Sequence, residues 1–287
     1  MTIAHETSHG QQAIRLANSR GEAVIHLHGA HVVHFQPTGE KPVLWMSGSS
    51  WYQDGKPIRG GIPLCAPWFG PHPTDAQLPA HGLVRQRPWA LTHHEELVDG
   101  RTRVQLSLAA DEAVLAAWPH PFTATLTVTV GAALEVELAV RNTGSAPFLL
   151  SEALHTYFAV SDVRKIRISG LTGALYLDKM DNGARKQQGP EPIAITAQTD
   201  RVYFSEEAAA VIDDPGLGRR IVVRKGGSGA TVVWNPWIEK AKALADFGDD
   251  EWPGMVCVEA VNAADSTVVV PPSFTHHLRQ TIAVERT

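Results

Sequence analysis

The stretch FTATLTVTV, residues 122–130, decides the fold, because its apolar residues alternate with threonines. After Gly131, the stretch ALEVELAV, residues 133–140, alternates leucine and valine with glutamate and alanine. A period of two is typical of a strand with one buried and one solvent-exposed face, and a glycine between two such stretches indicates a turn. We therefore predict an antiparallel hairpin whose apolar side chains face the core.

Shorter stretches of the chain show the same type of pattern. Strands are predicted in EAVIHLHGAHVVHF, RVQLSLAA, RKIRISGL, GATVVWN, MVCVEAV and HHLRQTIAV, and helices only in DEAVLAAW and IEKAKALADF. Many short strands separated by turns predict an all-β fold, a large β-sandwich of antiparallel strands with a few short helices. Since no linker or repeat interrupts the chain, we predict a single domain over residues 1–287. Long loops, which often carry function, are expected at 46–82, 178–199 and 246–254.

The composition is that of a globular protein, with 287 residues, 44% hydrophobic, 19% charged and a formal net charge of −5. An acidic total argues against a nucleic-acid partner, which requires a basic face. The two distant cysteines, Cys65 and Cys257, do not resemble the disulfide framework of a secreted protein. The start MTIAHETSHG lacks the features of a signal peptide, and no stretch approaches the roughly 18 apolar residues of a membrane helix. We therefore expect a cytoplasmic protein with no membrane partner.

Four histidines crowd the stretch VIHLHGAHVVHF, at positions 26, 28, 31 and 34. His26 and His28 would share one face of a strand, which is a common geometry for metal ligands. No carboxylate accompanies them at positions 32 and 33, and no established metal-ligand spacing is present. We favour the alternative that Gly29 and Ala30 interrupt a strand whose histidines are partly exposed. The sequence therefore predicts neither a metal nor a cofactor.

The segment RGGIPLCAPWFGPHPTD, residues 59–75, is more distinctive. Glycines let a backbone approach a ligand, and prolines stiffen the loop in advance. Arg59 at its start presents a planar fork that suits a phosphate or a carboxylate. The spacing alone is equally consistent with a loop that closes the sandwich and places Arg59 in a surface salt bridge.

The segment LPAHGLVRQRPW, residues 78–89, adds His81, Arg85 and Arg87 as hydrogen-bond donors. Lys56 and three arginines outweigh Asp75 in the window 56–89, which therefore carries a formal charge of +3 inside an acidic chain. This local inversion of charge favours a small anionic ligand, although solvated arginines would give the same count.

Two further segments contain single titratable residues among apolar ones. His155 lies in SEALHTYFAVSD, residues 151–162, where it is either a hydrogen-bonded core group or a proton donor near neutral pH. Glu259 lies in MVCVEAVN, residues 255–262, on the same strand face as Cys257 and Val261. A carboxylate there requires an ion pair or a cleft, and partial burial would raise its pKa and make it a stronger base. Cys257 is then expected beside Glu259.

Taken together, these segments resemble the glucose-6-phosphate 1-epimerases, or hexose-6-phosphate mutarotases, of the aldose 1-epimerase superfamily. The resemblance is carried by RGGIPLCAPWFG, AHGLVRQRPW, SEALHTYFAVSD, TDRVY at 199–203, and the block from VVWNPWIEKAKALADFGDDEW to MVCVEAVN. These motifs stand in family order over about residues 29–263. The resemblance implies a galactose-mutarotase-like β-supersandwich, with the sugar in a cleft on one sheet.

The resemblance also implies roles for individual positions. His155 matches the general acid that protonates the ring oxygen, and Glu259 matches the general base that deprotonates the anomeric hydroxyl. Ring opening, rotation of the carbonyl carbon and reclosure then give the other anomer.

Substrate contacts follow from the same resemblance. Arg59 and Arg85 match substrate-binding arginines, Asp200 matches a substrate-contacting carboxylate, and His81 matches a further sugar contact. Some relatives carry Gln where this chain has Ala80, which leaves the preferred hexose phosphate open.

The function expected from the sequence is interconversion of the α and β anomers of a hexose 6-phosphate, with glucose 6-phosphate as the first candidate, by a monomer whose partner is a small sugar phosphate. An epimerase of free aldoses and a non-catalytic carbohydrate-binding sandwich are the alternatives. A glycosidase that uses Glu259 with Asp200 would need its two carboxyl groups roughly 5–10 Å apart across one glycosidic bond.

Overall fold

The computed structural model describes residues 2–206 and 209–287, and antiparallel strands dominate it. The strands are β1 Thr2–Ser8, β2 Gln11–Asn18, β3 Gly21–His26, β4 His31–Pro37, β5 Leu64–Cys65, β6 Ala90–Glu96, β7 Thr102–Ala109, β8 Phe122–Val130, β9 Ala133–Asn142, β10 Phe148–Leu150 and β11 Glu152–Leu154. They continue with β12 Tyr157–Ala159, β13 Arg167–Ser169, β14 Leu175–Asp178, β15 Ala184–Gln187, β16 Thr199–Phe204, β17 Ala210–Asp214, β18 Arg219–Gly226, β19 Ala230–Asn235, β20 Met255–Asn262, β21 Val268–Val270 and β22 Thr275–Arg286. The two α-helices in the described part of the chain are α1 Glu112–Ala117 and α2 Trp237–Lys242. The predicted all-β class is confirmed.

Two large sheets form the body of the sandwich. The first has the order β15-β14-β16-β19-β20-β11-β5, with β12 also paired to β20, and the second has the order β13-β17-β18-β22-β9-β8-β7-β6. Strands β1 to β4 form a separate sheet, and β10 pairs with β21. Apolar residues of both large sheets, among them Leu126, Leu138 and Val258, belong to one buried cluster. Its burial supplies the main driving force for folding.

The predicted hairpin is confirmed as β8 and β9, with Leu126 opposite Leu138. Its apolar positions are buried, and the threonines at 123, 125 and 127 are half-exposed. Thr129 is the exception, being only 3% exposed. Arg103 on the neighbouring strand β7 donates a hydrogen bond to its hydroxyl, so the long arginine side chain covers it.

Strand β20 carries the motif MVCVEAVN to the centre of the first sheet. It lies between β19 and β11, and all eight of its residues are buried. Because successive side chains point to opposite faces, Cys257 and Glu259 share the face that points away from Val256 and Val258. Glu259 is thus held by one of the most completely covered strands of the fold.

The histidine-rich stretch forms β3 and β4, and Gly29 and Ala30 interrupt it with positive φ angles of 72° and 47°, as predicted. The expectation that these histidines are partly exposed holds for His34 and is wrong for the other three. The buried rings are held by hydrogen bonds: His26 contacts Gln11, while His28 and His31 donate to the carbonyls of Lys56 and Gly60. Their tertiary partners lie too far along the sequence for a local pattern to reveal them.

These buried rings predict a loss of stability in acid. Burial lowers the pKa of His26 to about 4 and that of His31 to about 3, below the value of about 6.5 in an unfolded chain. Between pH 6.5 and 4 the unfolded chain therefore binds more protons than the folded chain. The free energy of unfolding decreases as the pH is lowered through this range. We expect a loss on the order of several kcal/mol, measured by urea unfolding at a series of pH values.

The variant His31→Gln tests the origin of this loss, because an amide can still donate to the Gly60 carbonyl but does not titrate. Its unfolding free energy is expected to vary less with pH, whereas His94→Gln on the exposed strand β6 should behave like the parent chain. Equal pH slopes for His31→Gln and the parent chain would contradict the prediction.

The predicted helices and loops are found with adjusted bounds. Segment 46–82, which is described throughout, contains β5 as its one named strand, whereas segment 178–199 contains the additional strand β15. Within the described residues, no helix combines the length and the apolar character that crossing a membrane requires.

Candidate active site

Glu259 is a buried carboxyl group with a relative exposure of 1%. Neither of its oxygens accepts a hydrogen bond from the described residues. Buried polar groups are normally hydrogen-bonded because desolvation is otherwise costly, so an unpartnered carboxyl group marks a candidate functional site. Its Oε1 lies 3.4 Å from Nδ1 of His155, a close contact between the predicted base and the predicted acid.

His155 lies in the turn between β11 and β12. Its backbone N–H donates to the carbonyl of Pro63 at 3.0 Å, which ties it to the segment 59–75. Its ring stacks on Tyr157 with centroids 4.9 Å apart and an interplanar angle of 11°, and it meets Trp234 edge-on. The two aromatic rings fix the imidazole, with Nδ1 towards Glu259 and Nε2 available to a ligand.

The surroundings shift the two pKa values in opposite directions. Burial raises the pKa of Glu259 well above its usual value, with Lys179 opposing this shift and Asp200 adding to it. Burial lowers the pKa of His155, and His81 lowers it further. Both shifts favour a protonated carboxyl and a neutral imidazole. Moving that one proton across the 3.4 Å contact produces the carboxylate and the imidazolium.

Arg59 lies near this pair and is held on two sides. Its Nε and Nη2 donate to Asp246 at 3.2 and 3.1 Å, and its Nη1 donates to the hydroxyl of Tyr157 at 2.9 Å. Because Asp246 is only 5% exposed, this is not the surface salt bridge that the sequence allowed. Tyr157 thus contacts both Arg59 and His155.

Arg85 lies on a 3-10 turn, Val84–Gln86. Its Nη2 donates to the carbonyl of Ala80 at 2.8 Å, and its buried Nε has no partner among the described residues. Burial lowers the pKa of this guanidinium. The Arg85 guanidinium is thus a cation beside the site, and some of its N–H groups have no hydrogen-bond acceptor among the described residues.

The turn at His81 and Gly82 directs the neighbouring imidazole into the site. His81 has a φ of 67°, and its ring centroid is 5.6 Å from that of His155. Gly82 has a φ of 74°, and a Cβ there would lie 1.9 Å from the carbonyl oxygen of Ala66. Only glycine therefore fits this turn.

Asp200 comes from β16 and forms an ion pair with Lys179 at 3.1 Å. Lys179 Nζ also lies 5.5 Å from the centroid of the Phe69 ring. The Phe69 ring in turn lies 6.3 Å, centroid to centroid, from that of His155, which places Lys179 and Asp200 at the same site. Sequence reasoning predicted Asp200 and missed Lys179.

The structure separates Arg87 from the other cations. Its Nη1 lies 3.5 Å from Asp111 at the start of α1, so it belongs to a peripheral ion pair. The formal charge of the window 56–89 therefore overstates the positive charge at the site. Charge counted along the chain does not show which side chains face the same space.

Arg59 is positioned by the strand that precedes it in the core. His31 on β4 donates to the carbonyl of Gly60 at 2.7 Å. Gly61 has a φ of 59°, and a Cβ there would lie 2.2 Å from the carbonyl oxygen of Val32. Strand β4 thus holds the start of the segment 59–75 in place.

A cavity of about 1010 Å³ lies elsewhere, near His276 and Lys225. Lys225 Nζ donates to the carbonyls of Ser205 and Ser228, and His276 lies 3.0 Å from the buried Glu152. Lys225 and His276 thus have structural partners, unlike Glu259. Chemistry rather than volume selects the site at Glu259.

Sequence reasoning missed Asp246, Tyr157 and Lys179. Tyr157 and Asp246 lie inside the motifs SEALHTYFAVSD and VVWNPWIEKAKALADFGDDEW, so the motifs could have indicated both as site residues. Lys179 lies in none of the motifs and becomes apparent only from its contact with Asp200. The expected position of Cys257 is confirmed, because its sulfur lies within 4.8 Å of the ligand atoms of His155 and Glu259.

The family model described as aldose 1-epimerase matches residues 12–282. The chain belongs to the aldose 1-epimerase family. This membership confirms the predicted family and an isomerase-type enzyme. The matched range contains all the candidate site residues of the chain.

Individual relatives resemble this chain over most of their length. It is 36% identical over 265 residues to a protein of Escherichia coli (strain K12) described as "putative glucose-6-phosphate 1-epimerase", covering 92% of this chain and 87% of that one. A crystal structure described as that of "a putative mutarotase (YeaD)" from Salmonella typhimurium has a TM-score of 0.92 and 33% identity, covering 99% of this chain and 94% of that one. A "galactose mutarotase-like protein" from Clostridium acetobutylicum shares the fold, with a TM-score of 0.77, 15% identity, and coverage of 100% and 99%. The predicted fold is thereby confirmed.

Proposed function

We propose that this protein interconverts the α and β anomers of a hexose 6-phosphate, with glucose 6-phosphate as the first substrate to test. The observation that carries the proposal is the buried, unpartnered carboxyl group of Glu259 in contact with His155. The relative from Escherichia coli, whose description names glucose 6-phosphate, supports the choice of substrate.

In the proposed reaction, Glu259 accepts the proton of the anomeric hydroxyl while His155 donates a proton to the ring oxygen O5. The C1–O5 bond breaks and C1 becomes an aldehyde carbon. Rotation about the C1–C2 bond presents the other face of C1, and O5 then attacks it. His155 takes back the proton from O5 and Glu259 returns its proton to O1, so both groups end as they began.

The proton count of the pair fits this cycle. One proton on the pair suffices, because the carboxylate form of Glu259 is the base and the imidazolium form of His155 is the acid. Stacking against Tyr157 holds the imidazole in one orientation. Groups fixed in this way lower the barrier by avoiding reorganisation during the reaction.

Arg85 is the stronger candidate for the phosphate. Arg59 directs two of its nitrogens to Asp246, which neutralises its charge. Arg85 forms no ion pair with a carboxylate of the described residues, and its Nε has no hydrogen-bond partner there. A hydrogen bond to a charged group contributes about 1.5–3 kcal/mol, so Arg85 can favour a phosphorylated sugar over a free one.

The test of the function is an NMR exchange measurement of the anomers of glucose 6-phosphate and of glucose, with and without the protein. We expect exchange above the spontaneous rate for both, and faster for the phosphate. Catalysis of glucose alone would replace the proposal by an epimerase of free aldoses, and binding without exchange would replace it by a carbohydrate-binding protein.

The variant Arg85→Gln is expected to lower kcat/KM for glucose 6-phosphate by about 10- to 100-fold, because a neutral amide replaces the cation. Exchange of glucose should change by less than about threefold, since glucose carries no charge for Arg85 to bind. The matched control is Arg87→Gln, which removes an arginine from the peripheral pair with Asp111. Equal losses for the two sugars would remove Arg85 from the phosphate role.

A further inference from the structure

Cys257 has no part in the proposed reaction, yet it lies beside the reacting pair. It stands two residues before Glu259 on β20, so the two side chains share one face. One ligand atom each from His155, Cys257 and Glu259 lie within 4.8 Å of one another, and all three residues are buried. The cluster brings together a nitrogen, a sulfur and an oxygen.

The polar atoms of this cluster lack other partners. His155 Nδ1 and both oxygens of Glu259 make no hydrogen bond with the described residues. In addition, Nδ1 and Oε1 are 3.4 Å apart. Two ligands of a tetrahedral Zn²⁺ ion, each at about 2.0–2.1 Å, are separated by about 3.4 Å. The spacing of this pair therefore already fits a shared metal ion.

We propose that His155, Cys257 and Glu259 form an inhibitory binding site for a thiophilic divalent cation, for which Zn²⁺ is the best match. Three protein ligands leave one tetrahedral position for water or a sugar hydroxyl. The bound ion occupies Nδ1 of His155 and a carboxylate oxygen of Glu259, so it competes with proton transfer. The inhibition rests on the proposed function, whereas binding of the metal does not.

The charges at the site are compatible with such an ion. A thiolate and a carboxylate together neutralise a divalent cation. The cationic side chains of Arg59 and Lys179 are offset by their own carboxylate partners, Asp246 and Asp200, so among the described residues Arg85 is the one cation beside the site without such a partner. Sulfur among the ligands favours Zn²⁺ or Co²⁺ over Mg²⁺ and Ca²⁺, which prefer sites made only of oxygen.

The test uses the full chain after dialysis against a chelator, titrated with Co²⁺. A thiolate-to-cobalt charge-transfer band is expected to rise to one equivalent and to disappear when Zn²⁺ is added. Cys257→Ala should lack the band, whereas Cys65→Ala, which removes the other buried cysteine, should retain it. No band, or a band that persists in Cys257→Ala, would overturn the proposal. If Cys257→Ala does not fold, Cys257→Ser gives the same test with nearly unchanged volume.

Anomer exchange supplies the second readout. Zn²⁺ is expected to inhibit exchange by occupying the two proton-transfer groups, and Mg²⁺ at the same concentration should not inhibit. Loss of a ligand that contacts the metal should raise the inhibitory Zn²⁺ concentration by about 100-fold or more, since even outer partners contribute about 10- to 100-fold. Cys257→Ala should therefore keep its activity and lose its sensitivity, and equal sensitivity in Cys257→Ala and Cys65→Ala would refute the inhibitory site. A chain that binds Co²⁺ through Cys257 but exchanges no anomers would refute the proposed function and leave the metal site standing.

Discussion

Replacing Glu259 by glutamine is expected to slow catalysed anomer exchange by about 10²- to 10⁴-fold, the usual contribution of a positioned general base. Glutamine fills nearly the same volume on β20 but cannot accept the proton of the anomeric hydroxyl. The measurement is NMR exchange at saturating glucose 6-phosphate, with the spontaneous rate subtracted. The activity of Glu137→Gln, a substitution on β9 outside the site, should stay close to that of the parent chain.

The same variant should be at least as stable as the parent chain. The carboxyl group of Glu259 is buried and receives no hydrogen bond from the described residues, so its desolvation opposes folding. Functional groups held in this way often cost stability, and their removal restores it. A Tm equal to or above that of the parent chain, together with lost exchange, is the expected combination. Exchange at a near-normal rate would exclude Glu259 as the base.

Replacing His155 by phenylalanine is the second substitution with a large expected effect, again about 10²- to 10⁴-fold on exchange. Phenylalanine keeps an aromatic ring against Tyr157 and Trp234 but has no nitrogen to protonate the ring oxygen. His155→Ala should lose exchange to the same extent, with an additional loss of Tm from the missing packing. If either variant retained exchange within about tenfold of the parent chain, another group would have to be the acid.

Combining the substitutions tests whether the two groups act as a unit. Residues that act together in one proton-transfer step have strongly non-additive effects. We therefore expect the double variant His155→Phe/Glu259→Gln to be little slower than the slower single variant. Multiplicative losses would indicate that the two residues act in separate steps.

The hairpin at residues 122–140 shows why much of the fold could be predicted. Alternation along FTATLTVTV reports directly which side chains are buried, and the structure buries those positions. The exception, Thr129, depends on Arg103 of a neighbouring strand. The prediction that the histidines at 26, 28 and 31 are partly exposed was wrong for the same reason. Their burial depends on partners that come from other segments.

For the candidate site too, the sequence indicated the residues and only the structure showed their contacts. The motifs and their family resemblance indicated His155, Glu259, Arg59, Arg85, Asp200 and His81, and the structure brings these segments to one region of the first sheet. The pairing of Arg59 with Asp246 joins residues 187 positions apart. Lys179 reaches the site because the 3-10 turn Lys179–Asp181 follows β14, which pairs with β16 beside Asp200.

The sequence by itself determined the β-sandwich class, the family and the residue types at the site, because strand alternation and motif spacing are local properties of the chain. The tertiary structure alone decided how those residues are paired. It joined Arg59 to Asp246, separated Arg87 from the site, and left Glu259 buried without a hydrogen-bond partner among the described residues. The physical reason is that sheet order and loop packing set the desolvation and the charge neighbours of a side chain. Desolvation and nearby charges depend on which residues surround a side chain in space, and these are mostly not its neighbours in the sequence.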